Sequence, residues 1–123
     1  SPFNAIISRS GGAGFSSDAN SVQNIYKVRF MNKRNQPATV TLSLGKESPK
    51  GYELSGETQT FTVPALEEMS RTCVVIAPVQ SYVGVSEITI EVHANPGDVV
   101  IKKSIPFLGP NPESVRTNPA PTQ

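Results

Sequence analysis

With one cysteine, one histidine and no tryptophan, the chain has little of the usual apparatus of chemistry. The single thiol, Cys73, excludes an internal disulfide and any metal site assembled from several thiolates. No run of about 18 apolar residues occurs, so no segment reads as a helix that crosses a bilayer, and direct membrane insertion is set aside. The formal net charge is only +1, which creates no field to gather nucleic acid or anionic lipid, and neither is expected as a partner. The local basic pair Lys33-Arg34 reads as a solvated loop. The sequence starts at Ser1 with neither an initiating methionine nor a signal sequence, as expected of an excised fragment or a processed product.

What is present is alternation. The chain has 123 residues, one domain's worth, enough to bury roughly two thirds of the surface its unfolded form exposes. Nine glycines and eleven prolines suit short strands and many turns better than a helical bundle. Tyr26, Val28 and Phe30, then Val40, Leu42 and Leu44, then Ile88, Ile90 and Val92 recur with a period of two. Each trio therefore falls on one side of a pleat. The opposite sides carry Lys27 and Arg29, Thr39, Thr41 and Ser43, and Thr89 and Glu91, groups that water solvates.

Strands are expected over residues 3–8, 22–32, 38–44, 58–63, 70–77, 86–94 and 99–107, with a short edge piece at 52–54. The glycine- and serine-rich stretch 10–20 reads as a flexible loop; it lacks the Lys and the Ser or Thr of a phosphate-binding loop, and no helix follows it. The Asn32 to Pro37 turn is expected to make strands 22–32 and 38–44 neighbours, and Asn95-Pro-Gly-Asp98 to join the last two strands as a hairpin. Pro106 argues for an edge or strand-end position in the final strand. Residues 111–123, with Pro112, Pro119 and Pro121 and only Val115 as a large aliphatic residue, are expected to be a disordered tail on a domain of residues 1–110. Seven to eight short strands of this kind make an all-β fold, an immunoglobulin-like or fibronectin-like antiparallel β-sandwich. A closed barrel has the same periodicity, and the resemblance given below decides between them.

No residue earns a catalytic, cofactor-binding or metal role. His93 stands on an outward face in register with Glu87, Thr89 and Glu91, without a local nucleophile or orienting acid. Cys73 suits Cu(I) as a soft ligand, but a lone cysteine with only Arg71 nearby reads better as a small buried hydrophobe. Glu67-Glu68 and Asp18 have neither glycosidase nor calcium-loop spacing. Tyr52 and Tyr82 are the candidates for an exposed sugar-stacking platform.

The stretch Asn24-Ile-Tyr26-Lys-Val28-Arg-Phe30-Met-Asn32-Lys33 resembles the N-x-Y-x-(L/V)-x-(hydrophobic)-x-N-K strand of the C-terminal immunoglobulin-like domain of the FixG family, also called CcoG or RdxA. Phe107-Leu-Gly-Pro110 is similar to the F-x-G-P close of that domain, and the Gln36-Pro37 turn, Leu42-Ser-Leu44 strand and Val63-Pro64 break fall in the same order. The arginine-rich stretch usual before the first loop is represented by Arg9 alone. The resemblance implies a parent that is a polytopic membrane protein with four-iron four-sulfur clusters, implicated in copper reduction and in assembly of cbb-type cytochrome c oxidase. It implies for this chain a non-catalytic accessory domain at the periplasmic face of the bacterial inner membrane, without cofactor, docking on oxidase assembly components or on the rest of the parent chain. The other reading is a generic extracellular sandwich acting as a spacer or carbohydrate-binding module of a secreted or cell-surface protein.

Overall fold

The computed structural model describes residues 2–10, 12 and 14–116. Nine strands follow one another: β1 (Phe3–Arg9), β2 (Ser16–Ser17), β3 (Ser21–Asn32), β4 (Ala38–Leu44), β5 (Glu53–Gly56), β6 (Phe61–Val63), β7 (Glu68–Pro78), β8 (Ser86–Asn95) and β9 (Val99–Phe107). They form two antiparallel sheets. One runs β1-β3-β7-β5, with β2 also paired to β3; the other runs β6-β4-β8-β9. This is the expected immunoglobulin-like sandwich, and the two-layer order rules out a closed barrel among the described residues.

The core lies where the alternation puts it. Tyr26, Val28, Phe30, Val40, Ile88, Ile90 and Val92 are fully buried, and Leu42 nearly so, while Lys27, Arg29, Thr39 and Thr41 face water. In β7 the covered side is Cys73, Val75 and Ala77. Phe30 anchors one end, with its ring 5.1 Å from that of Phe61 and 6.5 Å from that of Phe3. Phe107 anchors the other, 5.0 Å from Tyr52 and 6.2 Å from Tyr82.

One expectation about topology fails. Strands β3 and β4 are not neighbours: β3 is flanked by β1 and β2 on one edge and β7 on the other, and β4 pairs with β6 and β8 in the opposite sheet. The Asn32 to Pro37 segment carries the chain between layers, a gap of about 10 Å that a connection of this length spans easily. The terminal hairpin forms as expected, with Val92 opposite Ile101 and the Asn95 side chain accepting from the Asp98 N–H at 3.1 Å. The Asn95–Pro96 peptide is cis, and Gly97 and Asp98 both take positive φ. Strand β9 is an edge strand, and Pro106 stands one residue from its end, so both placements expected of that proline are met.

Smaller differences follow from local bonding. The segment 58–63 contributes only Phe61–Val63 to the ladder. Strand β7 begins at Glu68, so half of the expected bend at 66–69 is strand. In the glycine-serine stretch, Asp18 Oδ1 accepts from the N–H groups of Asn20 and Ser21 at 2.7 and 2.9 Å, an Asx turn that reverses the chain into β3. Arg34 is not a solvated loop charge: it lies over the Phe3 ring, 5.7 Å from the centroid, and donates to Pro96 O at 2.6 Å. Where disorder was expected from residue 111, the chain forms a helical turn, α1 (Pro112–Arg116). The rest of that expected tail, 117–123, lies outside the described residues.

Candidate functional site

Two asparagines break the apolar pattern of β3. Asn24 and Asn32 share the inward parity of Tyr26, Val28 and Phe30, and both are buried, so each needs partners inside the protein. Asn24 finds them just past β9: its Nδ2 donates to Leu108 O at 2.8 Å and its Oδ1 accepts from the Leu108 N–H at 2.9 Å. The side-chain amide thus completes both backbone groups of Leu108. Arg9 joins from the end of β1, donating to Asn24 Oδ1 at 2.8 Å, to Pro106 O at 2.9 Å and to Gly14 O. Tyr26 Oη donates to the same Pro106 carbonyl at 2.9 Å, with the guanidinium 5.6 Å from its ring centroid. Burial pushes the Tyr26 phenol up to about 12, although Arg9 pulls the other way.

Asn32 works at the opposite end. Its Nδ2 lies within 2.9 to 3.2 Å of the carbonyls of Gln36, Val63 and Pro64, and its Oδ1 accepts from the Arg34 N–H at 3.1 Å. The residues that carry the sequence resemblance, Asn24, Tyr26, Asn32, the Val63-Pro64 break and the Phe107-Leu-Gly-Pro110 close, are therefore the two seams that fasten one sheet to the other.

Residues 1–110 match the family described as the IG-like fold at the C-terminal of FixG. The chain belongs to that family. Its description names FixG as a proposed oxidoreductase and places this fold at the C-terminus of it. Among solved structures, a FixG-related protein from Vibrio parahaemolyticus is similar over 88% of this chain and 96% of that one, with a TM-score of 0.66 and 17% identity. This likeness is one of fold. A yeast GGA1 GAE domain aligns over 89% of this chain and 91% of its own, with a TM-score of 0.48 and 12% identity. No curated protein matches the chain in sequence.

Within this FixG-type domain the sequence candidates separate. His93 is exposed and its Nε2 sits 3.1 Å from Glu91 Oε1, beside Lys102, whose Nζ lies 3.3 Å from Glu47 and 3.7 Å from Glu91. These form a cross-strand charge row on the solvated face of the second sheet. Cys73 is buried, and desolvation pushes its thiol up to about 11, which keeps it protonated and a poor nucleophile or metal ligand at neutral pH. Glu68 makes an exposed pair with Arg29 at 3.5 Å. Asp18 is held below its ordinary value by the two N–H groups of its turn.

Tyr52 and Tyr82 correct the sugar-platform expectation. Tyr52 is 8% exposed and Tyr82 fully buried, because both pack on Phe107 to close the core, so neither offers a face to a sugar. A four-iron four-sulfur cluster does not fit this chain either, since it requires four thiolates or their equivalents and one cysteine is present. Among the described residues no group of three or more His, Cys, Asp or Glu is placed to hold a metal ion, and no helix is long and apolar enough to cross a membrane.

The surface feature that sequence reading missed lies on the outward face of β3, beside the glycine-rich loop. Phe15 and Ile25 are 36% and 40% exposed and, with Ser10, Gly12, Gly14 and Gln23, border a shallow, mainly apolar concavity of about 180 Å³. Val74 lies directly across from Ile25 on β7, next to Ile76, both partly exposed. Ile25 was visible as an apolar residue in the polar parity of β3. Phe15 carried no such signal, because its position depends on the path of the loop.

Proposed function

We propose that this chain serves a FixG-type parent as a non-catalytic interaction module at the periplasmic face of the inner membrane, and that the parent's role is assembly of cbb-type cytochrome c oxidase with copper handling. The observation that carries this reading is how the polar side chains are used. Arg9, Asn24, Tyr26 and Asn32 hold the two sheets together, Cys73 is buried, and His93 belongs to a solvated charge row. What is left to offer a partner is surface shape, and the concavity around Phe15 and Ile25 is its best candidate.

The partner is a protein: an oxidase assembly component or another part of the parent. Iron-sulfur and copper chemistry would reside in the parent outside this chain. The test is made in the full-length parent. Replacing Phe15 and Ile25 by Glu should lower oxidase assembly while the parent remains at its normal abundance and this domain keeps its melting temperature. Full assembly with the double variant moves the contact elsewhere. Full assembly after deletion of residues 1–110, again at unchanged parent abundance, refutes a required role for the domain.

A further inference from the structure

We infer that residues 108–116 form a strap that closes one end of the core, so that the folded unit extends past residue 110, where the family match stops, at least as far as Arg116. The fastening is continuous along the segment. Leu108 is tied through both backbone groups to Asn24. At Gly109 a side chain is excluded, because a Cβ there would collide with the Tyr82 hydroxyl and stand 3.0 Å from Val22 Cγ1. The Pro110 carbonyl accepts from Tyr82 Oη at 2.7 Å. Tyr82 is fully buried, so the strap supplies an acceptor that water cannot.

Beyond Pro110 the contacts continue. The Pro112 ring packs on Gly84, where a Cβ would come within 3.1 Å of Pro112 Cγ. Asn111 caps α1: its Oδ1 accepts from the Glu113 N–H at 2.9 Å, and its carbonyl accepts from the Ser114 N–H at 3.0 Å. Asn before Pro at the first helical position is a favourable start, but five residues are too few to hold a helix in water. Its order comes from docking, and Val115 is the residue that docks, half-buried against the core cluster.

The test compares the full chain with chains ending at Arg116 and at Pro110, by thermal melting and by amide exchange. The chain ending at Pro110 should melt lower than the one ending at Arg116 by roughly 3–6 °C. In the full chain the Ser114 amide should be protected from exchange. If the Pro110 chain does not fold, Val115→Ser in the full chain decides, with a fall of at least about 2 °C expected. A Pro110 chain that melts within about 1 °C of the full chain overturns the inference, as does an Arg116 chain that melts as low as the Pro110 chain.

Discussion

Replacing Asn24 by Ala tests whether the β3 seam holds the sandwich together. The substitution removes the amide that donates to Leu108 O and accepts from the Leu108 N–H and Arg9, leaving both backbone groups of Leu108 unpaired. A buried group left without its partner costs about 1–3 kcal/mol. Leu108 is only partly buried, so water recovers some of this, and the expected loss is about 2–3 kcal/mol, toward the lower end for two such groups. With no tryptophan in the chain, urea denaturation is followed by far-ultraviolet circular dichroism and tyrosine fluorescence. The midpoint should fall with the slope unchanged, because the native surface is the same. Amide exchange adds a local signature: the Leu108 N–H should lose protection while the amides of β8 keep theirs relative to global stability. A loss below about 0.5 kcal/mol, the range of ordinary surface substitutions, would refute the seam.

Phe30→Ala, which empties the space between the Phe3 and Phe61 rings, should cost about 3–5 kcal/mol, and Leu42→Ala about 2–5 kcal/mol, in denaturant titrations; losses below about 0.5 kcal/mol would mean that these strands face the other way. Alkaline pH should destabilise the fold: Cys73 and Tyr26, ordinarily at 9.0 and 10.0, hold their protons to about 11 and about 12 when folded. Their contribution is full below pH 9.0 and declines as pH rises towards 11 and then 12. In Cys73→Ala the melting temperature should fall less steeply between pH 9 and 10 than in the parent sequence, and an unchanged slope would show that burial of the thiol is not the cause. Leu66 sits at φ 62° with 67% of its surface exposed. Asn tolerates that backbone better, so Leu66→Asn should leave stability unchanged or raise it by up to about 1 kcal/mol; a loss of more than about 0.5 kcal/mol would mean that this side chain is packed on something.

The fold was legible because burial is written into parity. Tyr26, Val28, Phe30, Ile88, Ile90 and Val92 announce a covered face, and the Asn-Pro-Gly-Asp turn between β8 and β9 fixes a hairpin by its own geometry. Sheet membership was not legible. Period two says which side of a strand is covered, but it is silent on whether the next strand lies beside it or across from it, and the link from Asn32 to Pro37 suits either course. The information lay in Asn32 itself: a buried amide needs acceptors, and two of those it found, on Val63 and Pro64, are the last residue of β6 in the opposite sheet and the one that follows it.

The same reasoning explains why the site resisted reading. Asn24, Tyr26 and the Phe107-Leu-Gly-Pro110 close looked like a family signature, and a signature invites a functional interpretation. Each instead meets a physical requirement of the fold: a sandwich whose last strand sits at an edge must fasten that edge, and a strand interrupted by Pro106 loses a backbone donor there. Arg9 and Tyr26, from the other sheet, donate to the Pro106 carbonyl, Asn24 pairs both backbone groups of Leu108, and Gly109 keeps the path clear for Tyr82. Residues required by the fold in this way cannot distinguish one partner from another. Under the proposed reading, specificity for a partner would reside in positions the fold leaves exposed, such as Phe15 and Ile25; Phe15 in particular stands in a loop where periodicity makes no demand.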